Sequence, residues 1–518
     1  MKVYITTPIY YVTDAPHIGH AYTSVNADVL ARAHRLRGDE VWFLTGTDEH
    51  GLKVARAAEQ RGVSPLEWAN TTAQRYRDVW DHLELSHDDF IRTTEARHRV
   101  GVQKLLQAAY DAGDVYAATY EGEYCVSCEA YYEPEELGEG GTCPVHERPV
   151  EHVIEDNWFF RLSAYEDRLL AWLDENPDAV KPAIRRNEVL GFIRGGLKDF
   201  SISRRTLTWG IPLPWDPDQV AYVWSDALTN YATAIGYGTD ESRFSHWWPA
   251  DYHFVGKDIL RFHAVYWPAL LLAAGLAPPR TVLAHGWIVV GGQKMSKTLA
   301  NQIHPRQITD VFGVDAFRYY WTRIGRLGPD LSFSWEDFAR RYEADLANAW
   351  GNLVSRVLHM VERYRDGAAP ARGPAASGEA AALDADLGGA AAGALAALQR
   401  GIDEVDIAGA LEETWRFLGR ANAYVEGCEP WKLAKDPGAA GRLDTVLNAL
   451  LESLRVSAVL VSPVVPGAAE RVWAQLGLPG SAAAGPLGVS GRFGEFTPGT
   501  RVRRGGVLFP KVEVEASA

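Results

Sequence analysis

Cysteine is scarce in this sequence, and its scarcity excludes a disulfide-stabilised fold. Only 4 of the 518 residues are cysteines, far too few to hold a chain of this length together. We therefore expect a protein of a reducing compartment, the cytoplasm. Three of the four lie between Cys125 and Cys143, so a metal site is the first hypothesis for this cluster.

Long apolar runs and an excess of positive charge are also missing. No stretch approaches the ~18 consecutive apolar residues that a membrane-spanning helix requires, and the N-terminal segment lacks the order of a secretory signal. With 67 acidic and 52 basic residues, the net charge is −15. We therefore expect no membrane association and no sequence-blind coating of nucleic acid, whereas a local basic patch remains compatible with this total.

The order of predicted strands and helices indicates an α/β domain with a parallel sheet, interrupted once and followed by helices. A strand at 2–12, a helix from His17 to about Gly38 and a second strand near residue 45 form a βαβ pattern. The pattern stops at residue 116, returns after residue 225 and gives way to helical periodicity near Trp335. The predicted divisions are 1–115 and 226–288 for the split α/β domain, 116–225 for an insertion, 289–340 for a connecting region, 341–484 for the helical domain and 485–518 for a tail that docks back on the body.

Two short motifs, far apart in the chain, predict a phosphate site. In the motif HIGH, His17 and His20 open a helix, where backbone amides and imidazoles can donate to phosphate oxygens and Gly19 leaves room for a nucleotide. In GGQKMSKT, Lys294 and Lys297 follow glycines in a loop and can neutralise a departing pyrophosphate. Each motif alone also fits surface histidines or a solvated basic loop, but their joint occurrence by chance is far rarer.

With these motifs the chain resembles a class I aminoacyl-tRNA synthetase, a family that carries HIGH and KMSKS motifs on a Rossmann-type domain. The first motif matches fully, and the second ends in Thr298 instead of serine. The resemblance implies that ATP, with Mg²⁺ carried by the nucleotide, activates an amino acid for transfer to tRNA, and that the protein positions the reactants and stabilises charge. It places Ser296 and Thr298 at the ATP with the four basic residues, and Gly256 and Asp258 beside the nucleotide, Asp258 at the ribose.

Further blocks are similar to the methionyl-tRNA synthetases in particular, over essentially the whole chain. These blocks are TTPIYYV, GTDEHG, VWSDALTNY, VGKDILRFH and AHGW. By position, the resemblance implies a pocket for L-methionine formed by Ile9, Tyr11, Asp48, Trp224, Ala227, Leu228, Tyr231 and His285.

The residue types suit this ligand. Asp48 can pair with the α-ammonium, Tyr11 and Trp224 offer aromatic contacts to a thioether, and Tyr231 and His285 can reach the sulfur. Taken singly, each aromatic residue is also explained by core packing. Leu228 stands where some relatives have proline.

The cysteine cluster has the spacing of a zinc knuckle. Cys125 and Cys128 form one C-x2-C pair, and Cys143 and His146 follow as C-x2-H after 14 residues. Four protein ligands leave no open coordination position, so we predict one structural Zn²⁺. Unpaired buried thiols are the alternative, and Cys428, far along the chain, is expected to be a small buried hydrophobe.

The helical region contains candidate RNA contacts. Asn352 and Arg356 are four residues apart on one predicted helix face, and Trp431 follows a proline. The family resemblance implies that these three residues bind the anticodon, with the tryptophan as a stacking platform. Without the resemblance, an ion-paired helix and a core tryptophan would explain them equally well.

The sequence therefore predicts a split Rossmann-type α/β catalytic domain with a zinc-knuckle insertion, followed by an α-helical bundle that binds the anticodon. The predicted reaction is ATP-dependent ligation of L-methionine to tRNA(Met) through methionyl-adenylate, with release of AMP and pyrophosphate, by a cytoplasmic monomer. Alternatives are another class I synthetase, a related nucleotidylyltransferase, or a zinc-ribbon RNA-binding protein without catalytic function. The insertion of roughly 110 residues is too short for a large editing domain, and neither a nucleotidylyltransferase nor a zinc ribbon would require the full set of motifs.

Overall fold

The structure, a computed structural model, describes residues 1–126, 129–132, 134–144, 148–290, 293–294 and 302–512. The first part of the chain alternates strands and helices as the βαβ pattern predicts. Helix α1 begins after the N-cap His17 and ends at Gly38, whose φ of 100° is the left-handed conformation that favours glycine. The elements are β1 (Lys2–Tyr11), α1 (Ile18–Arg37), β2 (Glu40–Asp48), α2 (Leu52–Glu59), α3 (Pro65–His82), β3 (Asp89–Arg92) and α4 (Ala96–Asp111).

The segment predicted as an insertion forms a second, antiparallel sheet and also returns once to the main sheet. Strands β4 and β6 pair over their whole lengths, from Val115 opposite Phe160 to Tyr124 opposite Glu151. The short strand β7 instead joins the parallel sheet of the catalytic body, so part of this segment belongs to that sheet. The elements are β4 (Val115–Cys125), β5 (Ala130–Tyr132), β6 (Glu151–Phe160), α5 (Glu166–Glu175), β7 (Val180–Lys181), α6 (Ala183–Arg194), β8 (Phe200–Ser201), β9 (Ser203–Arg204) and β10 (Val220–Ala221).

The α/β pattern then resumes and completes a parallel sheet. The new elements are α7 (Val223–Leu228), α8 (Asn230–Thr233), α9 (Glu241–Trp247), β11 (Tyr252–Gly256), α10 (Trp267–Ala273) and β12 (Thr281–His285), with a π-helical turn over Phe262–Tyr266. The strand order is β3-β2-β1-β11-β12-β7, and every pair is parallel. The order reverses direction between β1 and β11, and in open α/β sheets the crevice at the carboxyl ends of such strands is where ligands bind.

A connecting region links the two main bodies of the molecule. Its elements are β13 (Ile288–Val290), β14 (Gln293–Lys294), α11 (Pro305–Phe312), α12 (Val314–Ile324), β15 (Leu331–Phe333) and α13 (Trp335–Arg341). The fully buried Arg318 of α12 pairs with Asp28 of α1 at 2.6 Å and donates to the carbonyl of Val464 at 3.0 Å. This side chain therefore joins the catalytic domain to the helical domain.

The C-terminal part is helical. Its elements are a π-helix (Tyr342–Gly351), α14 (Asn352–Arg365), α15 (Gly378–Glu404), α16 (Ile407–Cys428), α17 (Pro430–Leu433), α18 (Ala440–Val461), α19 (Pro466–Gln475) and α20 (Leu487–Ser490). Helix α18 is buried along nearly all of its length, and its buried charges Glu452 and Arg455 pair with each other at 2.7 Å. The described part of the tail lies against this body: Val502 N–H donates to the Gly367 carbonyl at 2.9 Å, and Phe509 packs near Trp350.

Helix α15 is long and apolar enough to cross a membrane by length and composition alone, which the search for uninterrupted apolar runs did not anticipate. Its many alanines raise the mean hydropathy without supplying large side chains. Leu387, Ala391 and Leu398 are buried, and the helix packs along α16. A helix packed within a folded domain meets the same criterion, so its composition does not assign it to a membrane.

Candidate active site

Hydrogen bonds and ring stacking fix the two imidazole rings of the HIGH turn. His17 Nδ1 accepts the Gly19 N–H at 3.0 Å, His20 Nδ1 accepts the His17 N–H at 3.2 Å, and the two rings stack at 3.8 Å. Burial, followed by the charge of His17, lowers the pKa of His20 well below its usual value, so its ring is neutral. Because each Nδ1 is an acceptor, a neutral ring carries its proton on Nε2, where it can be donated to an anion.

The segment that follows the lysine loop contacts this turn. Lys294 lies in β14, paired with Val289, whereas Ser296, Lys297 and Thr298 lie outside the described residues. Where the description resumes, the Ile303 carbonyl accepts the Ile18 N–H at 2.8 Å. This bond attaches the segment after the lysine loop to the first turn of α1.

The predicted nucleotide residues lie on adjacent strands next to α1. Gly256 and His285 are register partners at the ends of β11 and β12. A Cβ atom on Gly256 would come within 2.6 Å of the Asp258 carboxylate, so this position requires glycine while Asp258 folds back over it. Since Gly256 has no side chain, only backbone lies between the Asp258 carboxylate and the end of β11.

His285 ends β12 and lies next to Gly256 of β11. Its Nδ1–H donates to the Gly286 carbonyl at 2.8 Å, and its Nε2 accepts from the Thr23 hydroxyl at 2.8 Å. Burial lowers its pKa, so the ring stays neutral. Both ring nitrogens are thus engaged within the protein, and the ring connects β12 to α1.

Tyr11 and Asp48 form the polar wall of the predicted methionine pocket. They are register partners at the carboxyl ends of β1 and β2, two positions beyond the pair formed by Ile9 and Gly46. Within the described ranges, the Tyr11 hydroxyl and Asp48 Oδ1 are buried and have no hydrogen-bond partner. Burial, followed by the charges of Asp226, Glu129 and Glu49, raises the pKa of Asp48 well above its usual value. A buried carboxyl without a counter-ion is a natural partner for a cationic ligand group.

The apolar wall comes from α7, α8 and the turn after β11. Trp224 stacks on Phe262 with ring centroids 3.8 Å apart and planes 3° apart, and Ala227 and Leu228 are buried beside it. The Tyr231 hydroxyl donates to His263 Nε2 at 2.7 Å, because His263 Nδ1–H is committed to the Ile259 carbonyl at 2.9 Å.

His263 is the histidine that meets Tyr231, and sequence reasoning had assigned this part of the pocket to His285. Burial lowers the pKa of His263 to about 4, so its ring is neutral. The available sequence signal was its position at the end of the VGKDILRFH block, one helical turn after Ile259. Phe262, which stacks on Trp224, lies in the same block and was likewise not predicted.

The predicted zinc knuckle is only half described. Cys128 and His146 lie outside the described residues, while Cys125 and Cys143 are buried although Gly140, Gly141 and Pro144 beside the second cysteine are exposed. Two buried thiols in a segment with little apolar material fit a metal-centred core. Among the residues that are described, no group of three or more His, Cys, Asp or Glu side chains is arranged to hold a metal.

Glu129, next to this knuckle, is tied to the catalytic domain. Its carboxylate accepts the Lys53 N–H at 2.6 Å and the Tyr124 hydroxyl, and its carbonyl accepts from Tyr222. The base of the knuckle is therefore attached close to the loop that follows Asp48.

The predicted anticodon residues lie on neighbouring helices. Asn352 and Arg356 are exposed in the first turns of α14, and Arg356 pairs with Glu426 of α16 at 2.6 Å. Trp431, five residues beyond Glu426, is partly buried against the core. The three residues thus belong to one end of the helical domain.

Comparisons with known proteins agree with this geometry. The family model "tRNA synthetases class I (M)" matches residues 3–155 and 128–358, and "Anticodon binding domain of methionyl tRNA ligase" matches residues 374–518. The methionine–tRNA ligase of Streptomyces coelicolor is 47% identical over 99% of this chain and 97% of its own length, and that of Caldanaerobacter subterraneus is 46% identical over 99% and 79%. The structure of Mycobacterium tuberculosis methionyl-tRNA synthetase in complex with methionyl-adenylate superposes with a TM-score of 0.93 at 42% identity, covering 98% of this chain and 100% of that one. The chain belongs to the methionyl-tRNA synthetase family of the class I aminoacyl-tRNA synthetases.

Proposed function

We propose that this chain ligates L-methionine to tRNA(Met) in two steps, forming methionyl-adenylate and pyrophosphate from ATP and then releasing AMP on transfer to tRNA. The observation that carries the proposal is the buried, uncompensated Asp48 carboxyl beside the Tyr11 hydroxyl, at the sheet edge that also holds the HIGH turn. Family membership supports the same reaction.

In the first step the methionine carboxylate attacks the α-phosphorus of ATP and pyrophosphate leaves. No protein nucleophile is needed, so the protein contributes positioning and charge stabilisation. His17 and His20 offer Nε2–H groups at the helix start, and we assign Lys294 and Lys297, with Ser296 and Thr298, to the phosphates. Mg²⁺ bound to ATP would neutralise phosphate charge.

The pocket residues divide the recognition of methionine between its two ends. Asp48 pairs with the α-ammonium, while Ile9, Trp224, Ala227 and Leu228 enclose the side chain. An apolar pocket alone separates side chains that differ by one methylene by only about 1–3 kcal/mol. Because the Tyr231 proton is committed to His263 Nε2, Tyr231 and Trp224 add aromatic contacts to the thioether instead of a hydrogen bond.

Two predicted residues take roles on the nucleotide side. We assign Asp258, whose carboxylate folds over Gly256, to the ribose. His285, held by Thr23 and Gly286, supports the helix that carries the HIGH turn, and we assign it a supporting role instead of a contact with sulfur.

The insertion and the helical domain supply the remaining functions. Cys125, Cys128, Cys143 and His146 would hold one structural Zn²⁺, which supplies folding energy to a segment with little core of its own. Asn352, Arg356 and Trp431 would bind the anticodon. We retain the predicted domain divisions, a monomeric state and a cytoplasmic location as parts of the proposal.

ATP–pyrophosphate exchange, measured with each of the twenty amino acids, tests the proposal. Exchange should depend on methionine, and purified tRNA(Met) should then accept the amino acid. Exchange supported by a different amino acid, with none from methionine, would refute it.

A further inference from the structure

The carboxylate of Asp226 connects the two walls of the methionine pocket. Asp226 is fully buried in α7, between Trp224 and Ala227. Its Oδ2 lies 2.7 Å from His50 Nδ1, and its Oδ1 lies 2.8 Å from His98 Nε2. The two imidazoles, through their hydrogen bonds and charge, outweigh the effect of burial and lower the pKa of Asp226, so it is ionised and accepts both N–H groups.

His50 belongs to the loop that carries Asp48. Its backbone N–H donates to the Asp48 carboxylate, while its side chain is held by Asp226. The residue between them, Glu49, is bound by Arg92 at 2.6 and 2.9 Å. The side chains on both residues after Asp48 are therefore fixed, and Asp48 Oδ1 is left for a ligand.

His98 extends the same contact to the helices behind the pocket. Its Nδ1 lies 2.8 Å from Thr233 Oγ1 of α8, which also carries Tyr231. Gly101, one turn further along α4, packs so closely that a Cβ atom there would lie 2.2 Å from the Thr233 methyl group. Asp226 thus ties the Asp48 loop, the Trp224 helix and the Tyr231 helix to one another.

We propose that Asp226, which contacts none of the reacting groups, is a positioning residue that aligns Asp48 for the substrate ammonium. Its negative charge also lies near the ammonium site, since among charged groups Asp226 has the largest effect on Asp48. Both effects favour a bound ammonium over a neutral group. The inference rests on the proposed function.

Two methionine analogues separate alignment of Asp48 from general weakening of the fold. Methioninol keeps the ammonium and lacks the carboxylate, whereas 4-(methylthio)butanoate keeps the carboxylate and lacks the ammonium. In Asp226→Asn, the dissociation constant of methioninol should rise tenfold or more, while that of 4-(methylthio)butanoate changes less than about threefold. KM for methionine should rise more than kcat falls in pyrophosphate exchange, and KM for ATP should be nearly unchanged.

Asp251→Asn is the control, because Asp251 is a half-buried carboxylate at the opposite end of the sheet, where it accepts the Tyr4 N–H at 2.8 Å. It should leave both analogues unchanged. If Asp226→Asn does not fold, Thr233→Val, which removes only the outer partner of His98, should show the same selectivity at smaller amplitude. In an Asp48→Asn background the Asp226 substitution should have little further effect on methioninol.

Equal weakening of both analogues, or full additivity of the two substitutions, would overturn the inference. Wild-type protein that binds neither methionine nor methioninol would instead refute the proposed function, so the two failures are distinguishable.

Discussion

Asp48→Asn should lower activity without lowering the stability of the substrate-free protein, because the carboxyl is costly to bury in the absence of substrate. The side chain is buried, Oδ1 has no partner within the described ranges, and three other carboxylates lie near enough to raise its pKa. With methionine bound, the carboxylate and the ammonium form a buried pair. Removing one member of such a pair costs about 3–5 kcal/mol, or roughly 10²- to 10⁴-fold in kcat/KM.

The stability of the substrate-free protein should change in the opposite direction. The pKa of Asp48 is raised in the folded state, so the protonated carboxyl favours folding. This contribution to stability is fully present below the ordinary carboxyl pKa and is lost as pH rises through the raised pKa. Asn carries no proton to lose. The melting temperature of Asp48→Asn should therefore equal or exceed that of the wild type, with a difference that grows as pH increases.

Methionine binding should show the same linkage. Pairing with ammonium requires the ionised carboxyl, so binding releases a proton and wild-type affinity rises with pH until Asp48 is ionised in the free protein. Titration calorimetry in buffers of different ionisation enthalpy measures this proton. Asp251→Asn serves as the control and should keep wild-type kcat/KM. An Asp48→Asn enzyme with near-normal kcat/KM, or one that melts well below the wild type at neutral pH, would contradict the reasoning.

Three further substitutions or treatments test other parts of the site. Trp431→Ala should leave methionine-dependent pyrophosphate exchange within about twofold while reducing charging of tRNA(Met) by roughly tenfold or more, since base stacking is worth about 1–3 kcal/mol; equal loss in both assays would make Trp431 a core residue. Lys297→Ala should lower kcat for exchange by roughly 10²-fold or more with little change in the dissociation constant of methionine, measured without ATP; a weakened methionine affinity would argue against a phosphate role. Removal of zinc by a chelator should expose the thiols of Cys125 and Cys143 to alkylation and lower the melting temperature, and metal analysis should give one zinc per chain; thiols that are already reactive in untreated protein without zinc would refute the knuckle.

The sequence was informative wherever chemistry depends on neighbouring residues. HIGH at a helix start is a local pattern, and its expected geometry appears in the His17 and His20 contacts. The parallel α/β sheet and the helical C-terminal part followed from hydrophobic periodicity, which is also local. Tyr11 and Asp48 were identified separately by motif, and the register of β1 with β2 brings them together.

Sequence patterns were least informative where distant segments decide a side chain's partner. His263 and His285 both lie in blocks that resemble the family. Tyr231 contacts His263 because the turn after β11 packs against α8. The segment 116–225 was predicted as one insertion, yet its strand β7 pairs in parallel with β12 and extends the main sheet at its edge.

The amino-acid sequence by itself thus determined which reactive groups are present and how they are spaced locally. Helix starts, strand ends and knuckle turns each depend on only a few adjacent residues. Only the tertiary structure decided which of those groups are paired and which are left for a ligand. Asp226 shows the difference. It lies 176 residues from His50 and 128 from His98 in the chain, and no local sequence pattern specifies that these three side chains meet. Their meeting depends on how α4 and α7 pack around the sheet, and it leaves Asp48 Oδ1 without a hydrogen-bond partner among the described residues.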